Sequence, residues 1–187
     1  PRPEVPQRAF TSISDGHDRL TVANRGLPEV EVLKSQDGTT AIALTLLRCV
    51  GWLSRDDLTN RKGHAGPYLE TPGAQMLGLW TFDYAIVFES EAITARQLAY
   101  GFQSPLRAYV TGIHPGSLAL GGSFLNTSSP EFMISAIKRA ENGQGWLVRG
   151  YNQSSRDIQV NMKTCIPYKK ASIANLAEKP LKTLKPD

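Results

Sequence analysis

The 187-residue sequence is sparing with the residues that usually carry an activity: two Cys, three His and 8% aromatic side chains. Two Cys cannot form a disulfide scaffold. Cys49 in an apolar strand pattern and Cys165 near a strand end read as buried thiols in a reducing compartment. No stretch approaches ~18 uninterrupted apolar residues, which excludes a transmembrane helix and with it a membrane partner. The opening Pro1-Arg2-Pro3-Glu4 has no basic-then-apolar signal pattern, so a cytoplasmic location is expected. Because the chain also opens without Met, it is expected to be processed or cut from something longer. His17, His64 and His114 show no HExxH or CxxC spacing, and there is no GxSxG elbow or P-loop. No metal or cofactor is therefore expected in this chain.

Charge excludes a further class. The net charge is +4, but six Lys lie from Lys163 onward against Glu178 and Asp187, leaving 15 basic and 15 acidic side chains before them. A neutral body with a basic tail lacks the basic, aromatic-interleaved stripe of a nucleic-acid binder.

Hydrophobic residues make up 41% of the chain, a globular balance. Most of it reads as β-structure. Leu20, Val22 and Asn24 alternate with Thr21 and Ala23, and Val30 and Val32 with Glu29 and Glu31, the period of strands with one wet face. Asp15-Gly16, Asp37-Gly38 and Asn142-Gly143 are tight-turn signals. The run 40–50 is nearly all apolar, as in a strand buried on both faces. Alternation returns at Ile158, Val160 and Met162. Further strands are expected at 80–89, 106–111, 117–125, 131–139, 145–151 and 171–176. One short helix is expected at 91–100, with Ser90 as its cap and Gly101 as its end. Many short strands and little helix predict a mainly β fold, a large antiparallel β-sandwich forming one domain over 1–187. The ends, 1–6 and 179–187, are expected to be extended and mobile.

Residues 54–75 break the pattern. They show neither periodicity and contain Gly63, Gly66, Gly73, Pro67 and Pro72. A structureless loop beyond about 12–15 residues is often functional. This one concentrates Arg55, Asp56, Asp57, Arg61, Lys62, His64 and Glu70. Asp56-Asp57 reads as a turn or as an ion pair with Arg55 or Arg61; alternatively one carboxylate orients Arg61. Arg61 is a bidentate donor suited to sugar hydroxyls or a carboxylate, or a structural Arg. His64 sits among small residues that allow close backbone approach, and a hydrogen-bonded structural role competes with a functional one. Trp52, Trp80 and Trp146 could stack on sugar faces, but each lies in an apolar pattern that predicts core packing.

Several blocks carry a resemblance: Gly26-Leu27-Pro28-Glu29-Val30-Glu31-Val32, Ala43-Leu44-Thr45-Leu46-Leu47-Arg48-Cys49-Val50-Gly51-Trp52-Leu53-Ser54-Arg55, Arg61-Lys62-Gly63-His64-Ala65-Gly66-Pro67 and Thr71-Pro72-Gly73-Ala74-Gln75. Ser135 to Gly143, Leu147-Val148-Arg149-Gly150-Tyr151-Asn152 and Asn175-Leu176-Ala177-Glu178 continue it. In this order they resemble the C-terminal β-domain of glycoside hydrolase family 38, the α-mannosidases. The resemblance implies a galactose-mutarotase-like supersandwich belonging to a retaining mannosidase. It also implies that the catalytic carboxylates and a divalent metal, usually zinc, lie in an N-terminal barrel domain absent here. This chain is then not catalytic alone. Its partners would be that barrel and a mannose-containing glycan or mannoside. The run Asp56, Asp57, Asn60, Arg61, Gly63 resembles the family segment whose Arg points into the active site. It makes Asp57, Asn60, Arg61 and His64 the substrate-binding candidates. A stand-alone carbohydrate-binding module and a purely structural or oligomerisation domain are the competing readings.

Overall fold

The structure, a computed structural model, describes residues 4–59, 61–117 and 119–185. The fold is mainly β, with antiparallel sheets and one α-helix. It divides into two compact units, Pro1–Tyr109 and Val110–Asp187.

The first unit contains two three-stranded sheets. Strands β2 (Phe10–Ser14), β3 (Arg19–Arg25) and β6 (Asp83–Phe88) form one, in the order β2-β3-β6. Strands β1 (Glu4–Pro6), β4 (Glu29–Lys34) and β5 (Thr40–Leu44) form the other, in the order β1-β4-β5. The Asp-Gly turns lie where expected, with Gly16 at φ +100° between β2 and β3 and Gly38 at φ +87° between β4 and β5. Both values fall in the region that favours glycine.

β3 is the central strand and is buried on both faces: Thr21, Ala23 and Asn24 are fully buried and Val22 nearly so. One face is covered by α1 (Ala92–Gln103), whose small residues Ala95 and Ala99 stand one turn apart and allow close approach. Phe10 meets Tyr100 edge to face at 5.7 Å, and the Arg25 guanidinium lies 4.1 Å above the Phe102 ring.

The helix departs from expectation at both ends. Glu91, not Ser90, occupies the N-cap position and no side chain caps it; the Ser90 hydroxyl donates to Glu89 instead. The helix also runs past Gly101. Arg25 Nε donates to the Phe102 carbonyl at 2.9 Å, satisfying one of the acceptors that a helix end leaves open. A tertiary contact thus substitutes for a glycine stop.

The second unit is made of two-stranded ribbons. β8 (Phe132–Arg139) pairs with β9 (Trp146–Asn152), β7 (Leu125–Thr127) with β10 (Met162–Thr164), and β11 (Ala171–Ala174) with β12 (Pro180–Leu184). The β8–β9 register shifts between Ile134 and Ala136. Opposite the shift, Gly150 receives the Phe132 ring. A Cβ there would stand 2.5 Å from Phe132 Cε1 and 2.9 Å from the Met133 carbonyl oxygen. Glu178 has φ +61°. Its carboxylate accepts the Glu141 N–H at 2.8 Å and pairs with Lys138 Nζ at 2.8 Å, tying the β11–β12 turn to the β8–β9 turn.

Several expectations are corrected. The strand over 40–50 stops at Leu44, and Leu46, Leu47 and Val50 are 39–48% exposed. β5 has only β4 beside it, so its continuation finds no second neighbour among the described residues. Cys49 and Cys165 are exposed rather than buried. Residues 106–111 form no strand, nor do the described residues of 117–124; Leu118 lies outside the described residues. The alternating run at 157–161 is irregular until β10 begins at Met162. Alternation supplies a face, but a strand also needs a hydrogen-bonded neighbour. Near the two ends, among the described residues, β1 pairs with β4 and β12 with β11.

Candidate functional site

The 54–75 loop is irregular, as its composition predicts, yet it is tied down along its length. It leaves and returns as a narrow arm. Leu53 N–H donates to the Leu69 carbonyl at 2.8 Å, Thr71 N–H to Gly51 at 2.9 Å, and Trp52 and Glu70 form an antiparallel bridge. The Val50 carbonyl accepts from Thr71 Oγ1 at 2.9 Å and Gln75 Nε2 at 2.7 Å. The arm closes on a single 3-10 turn, Pro72–Gln75.

Ser54 anchors the outer part. It is 4% exposed, and its hydroxyl oxygen accepts the N–H groups of Ala65 at 2.9 Å and Gly66 at 3.2 Å. With its lone pairs so occupied, the hydroxyl proton is directed to His64 Nδ1, 3.4 Å away. The other ring nitrogen of His64, Nε2, faces Asp56 Oδ2 at 3.7 Å. The order Ser, His, Asp is not a nucleophilic triad, because the Ser oxygen is buried and already holds two N–H groups. Tyr68 completes the cluster: it stacks on Trp52 at 4.3 Å and 13°, and meets His64 edge to face at 5.3 Å.

At the tip, Asp57 and Lys62 form an isolated bridge, and Gly63 at φ +79° turns the chain back. Arg55 and Asp57 form a two-pronged ion pair, with Arg55 Nε 2.8 Å from Asp57 Oδ1. The hydrogen bond from Arg55 holds the Asp57 carboxyl below its ordinary range, and Asp57 in turn raises the Arg55 guanidinium. Of the open readings of the carboxylate pair, the ion pair with Arg55 is the one observed. Asp57 does not orient Arg61. The Arg61 guanidinium makes one hydrogen bond among the described residues, a 3.4 Å contact from Nη2 to the Arg55 carbonyl. Asn60 lies outside the described residues.

The structure therefore brings Ser54, Asp56, His64, Trp52 and Tyr68 together, and sets Asp57 with Arg55 beside Arg61. Ser54 was not singled out by sequence, since a hydroxyl that caps amides 11 and 12 residues away leaves no local pattern. Trp80 and Trp146 are 46% and 66% exposed, so the expected core packing is corrected for both. Trp80 Nε1 instead donates to the Met76 carbonyl at 2.8 Å. Among the described residues no group of three or more His, Cys, Asp and Glu could hold a metal.

Fold and loop together define a mainly β module whose polar chemistry is gathered in one braced arm. A family model described as the glycosyl hydrolases family 38 C-terminal beta sandwich domain matches residues 131–187. The crystal structure of a glycosyl hydrolase family 38 protein from Enterococcus faecalis superposes with a TM-score of 0.77 at 32% identity. It covers 98% of this chain and 21% of that one. An alpha-mannosidase from the same organism gives a TM-score of 0.76 at 33% identity over 98% of this chain and 20% of its own. A protein named "Putative mannosylglycerate hydrolase" from Halalkalibacterium halodurans is 27% identical over 146 residues, 76% of this chain. The chain spans 15% of that curated relative and about a fifth of the solved structures. Residues 131–187 thus match the C-terminal β-sandwich of glycoside hydrolase family 38, and nearly the whole chain is similar to solved proteins of that family.

Proposed function

We propose that this chain is the C-terminal β-region of a mannoside-cleaving family 38 hydrolase, and that its 54–75 arm completes the substrate site. The substrate is a mannose-containing glycan or mannoside, and the partner is the catalytic barrel of the same polypeptide. The observation that carries the reading is the state of Arg61. Its neighbour Arg55 is paired with Asp57, whereas Arg61 makes a single hydrogen bond among the described residues, at the tip of an arm braced from Val50 to Gln75. A guanidinium held on a fixed backbone with donors to spare suits neighbouring sugar hydroxyls or a carboxylate.

His64, held by Ser54 and facing Asp56, offers a second polar group on the same arm. Among the described residues no cluster of His, Cys, Asp and Glu fits a metal. The divalent ion that the family uses, zinc foremost, is assigned to the barrel, and no step here runs through it.

The test is Arg61→Ala in the complete polypeptide. A contact realised in the transition state should lower kcat/KM by about 10–100-fold. Arg61→Lys should recover only part of that, because an ammonium lacks the planar fork. An unchanged kcat/KM for Arg61→Ala would overturn the role given to the arm.

A further inference from the structure

The sheet β2-β3-β6 is covered unevenly. Register places Phe10, Ala23 and Ala85 on one face, the face that α1 covers through Tyr100. Val22, Asn24, Tyr84, Ile86 and Phe88 share the opposite face. There the central strand is buried, with Val22 at 8% and Asn24 at 0% exposure, but its neighbours on β6 are open: Tyr84 54%, Ile86 58%, Phe88 79%. β6 is also the end strand of the sheet, so its second edge has no partner among the described residues. Sheet edges that face water are usually blunted by bulges, Pro or inward charges. β6 pairs with β3 without a register shift from Asp83 to Phe88, and its only charged residue, Asp83, faces Arg25 at 3.7 Å.

We infer that β6 is an internal strand of a larger sheet: a β-strand from polypeptide outside residues 1–187 pairs with its open edge and packs its own side chains against Tyr84, Ile86 and Phe88 on the outer face. This rests on the reading of the chain as part of a longer family 38 protein. The occupant is a strand because the open edge offers backbone donors and acceptors. It carries apolar residues at alternate positions, because Tyr84, Ile86 and Phe88 present that period to it. The source is the same polypeptide: structures that match 98% of this chain contain about four-fifths of their length beyond the matched part.

The experiment uses the polypeptide as its gene encodes it, with the exposed Cys49 and Cys165 changed to Ser. Ile86→Cys is compared with Gln36→Cys, a reference in the exposed β4–β5 turn, by maleimide labelling under native conditions. A covered Ile86 should label at least about 100-fold more slowly than the reference, and equally fast after denaturation. Ile86→Lys should also lower the thermal midpoint by several degrees while Gln36→Lys leaves it unchanged. Equal native labelling rates would overturn the inference. So would a gene encoding no residues outside 1–187, or protection that disappears on dilution, which would assign the face to a second copy. Loss or retention of the Arg61 effect on kcat/KM does not alter these readouts, so the two proposals fail separately.

Discussion

Replacing Ser54 with Ala tests the bracing of the arm most directly. The substitution removes one oxygen, and with it the acceptor for Ala65 N–H and Gly66 N–H and the partner of His64 Nδ1. Each backbone hydrogen bond contributes about 0.5–1.5 kcal/mol net. The two amides together then give ~1–3 kcal/mol, and the long 3.4 Å contact to His64 adds little. The loss should appear as local opening, because the inner half of the arm keeps its own bonds from Leu53 to Leu69 and from Thr71 to Gly51. Amide exchange of Ala65 and Gly66 should accelerate by roughly 5- to 150-fold while Leu53 and Thr71 stay within a few-fold of wild type. The global unfolding midpoint should move little. In the complete polypeptide, kcat/KM should fall as the tip loses its fixed geometry. Two results would refute the reasoning: unchanged exchange at Ala65 and Gly66, or equal acceleration throughout 50–75.

Gly150→Ala should destabilise the β8–β9 ribbon by about 1–3 kcal/mol in denaturant titration, because the new methyl falls within the Phe132 ring and close to the Met133 carbonyl. Adding Phe132→Leu should recover part of that loss in a double-mutant cycle, and strict additivity would count against the ring contact. The Glu178 carboxyl is held below its ordinary range by the Glu141 N–H and then by Lys138. Its stabilising contribution is therefore complete above that ordinary range and is lost as pH falls through the lowered value. The difference in thermal midpoint between wild type and Glu178→Gln should be present at neutral pH and vanish in acid. A pH-independent difference would refute the link. Because Glu178 adopts a left-handed backbone, Glu178→Ala should cost more stability than Glu178→Gly.

Local signals in the sequence proved sound where the chain itself closes the structure. Asp-Gly and Asn-Gly turns place the β2–β3, β4–β5 and β8–β9 hairpins, since a positive φ at Gly is fixed within a few residues. The interruption at 54–75 was legible for the same reason: its Gly and Pro residues suppress either period, and the polar cluster they carry is visible as composition. Within that loop the partners were not legible. Asp57 had two adjacent arginines available, and only the folded tip decides for Arg55. Ser54 reaches its amides across a closed arm, a distance no local motif encodes.

What the sequence by itself determined is the mainly β character, the turns, the position of the polar arm, and the family blocks. These depend on periodicity, on glycine geometry and on residue identity, all properties of neighbours along the chain. Tertiary structure alone decided burial. The same alternating apolar pattern gives a buried strand at β3 and a half-open one at β6, because β3 has a strand on each edge whereas β6 has only β3 beside it among the described residues and leaves Tyr84, Ile86 and Phe88 exposed. The apolar run 40–50 ends as a strand at Leu44 for the same cause. Hydrophobic period tells which side chains must leave water, and only the arrangement of the whole polypeptide supplies the surface that receives them.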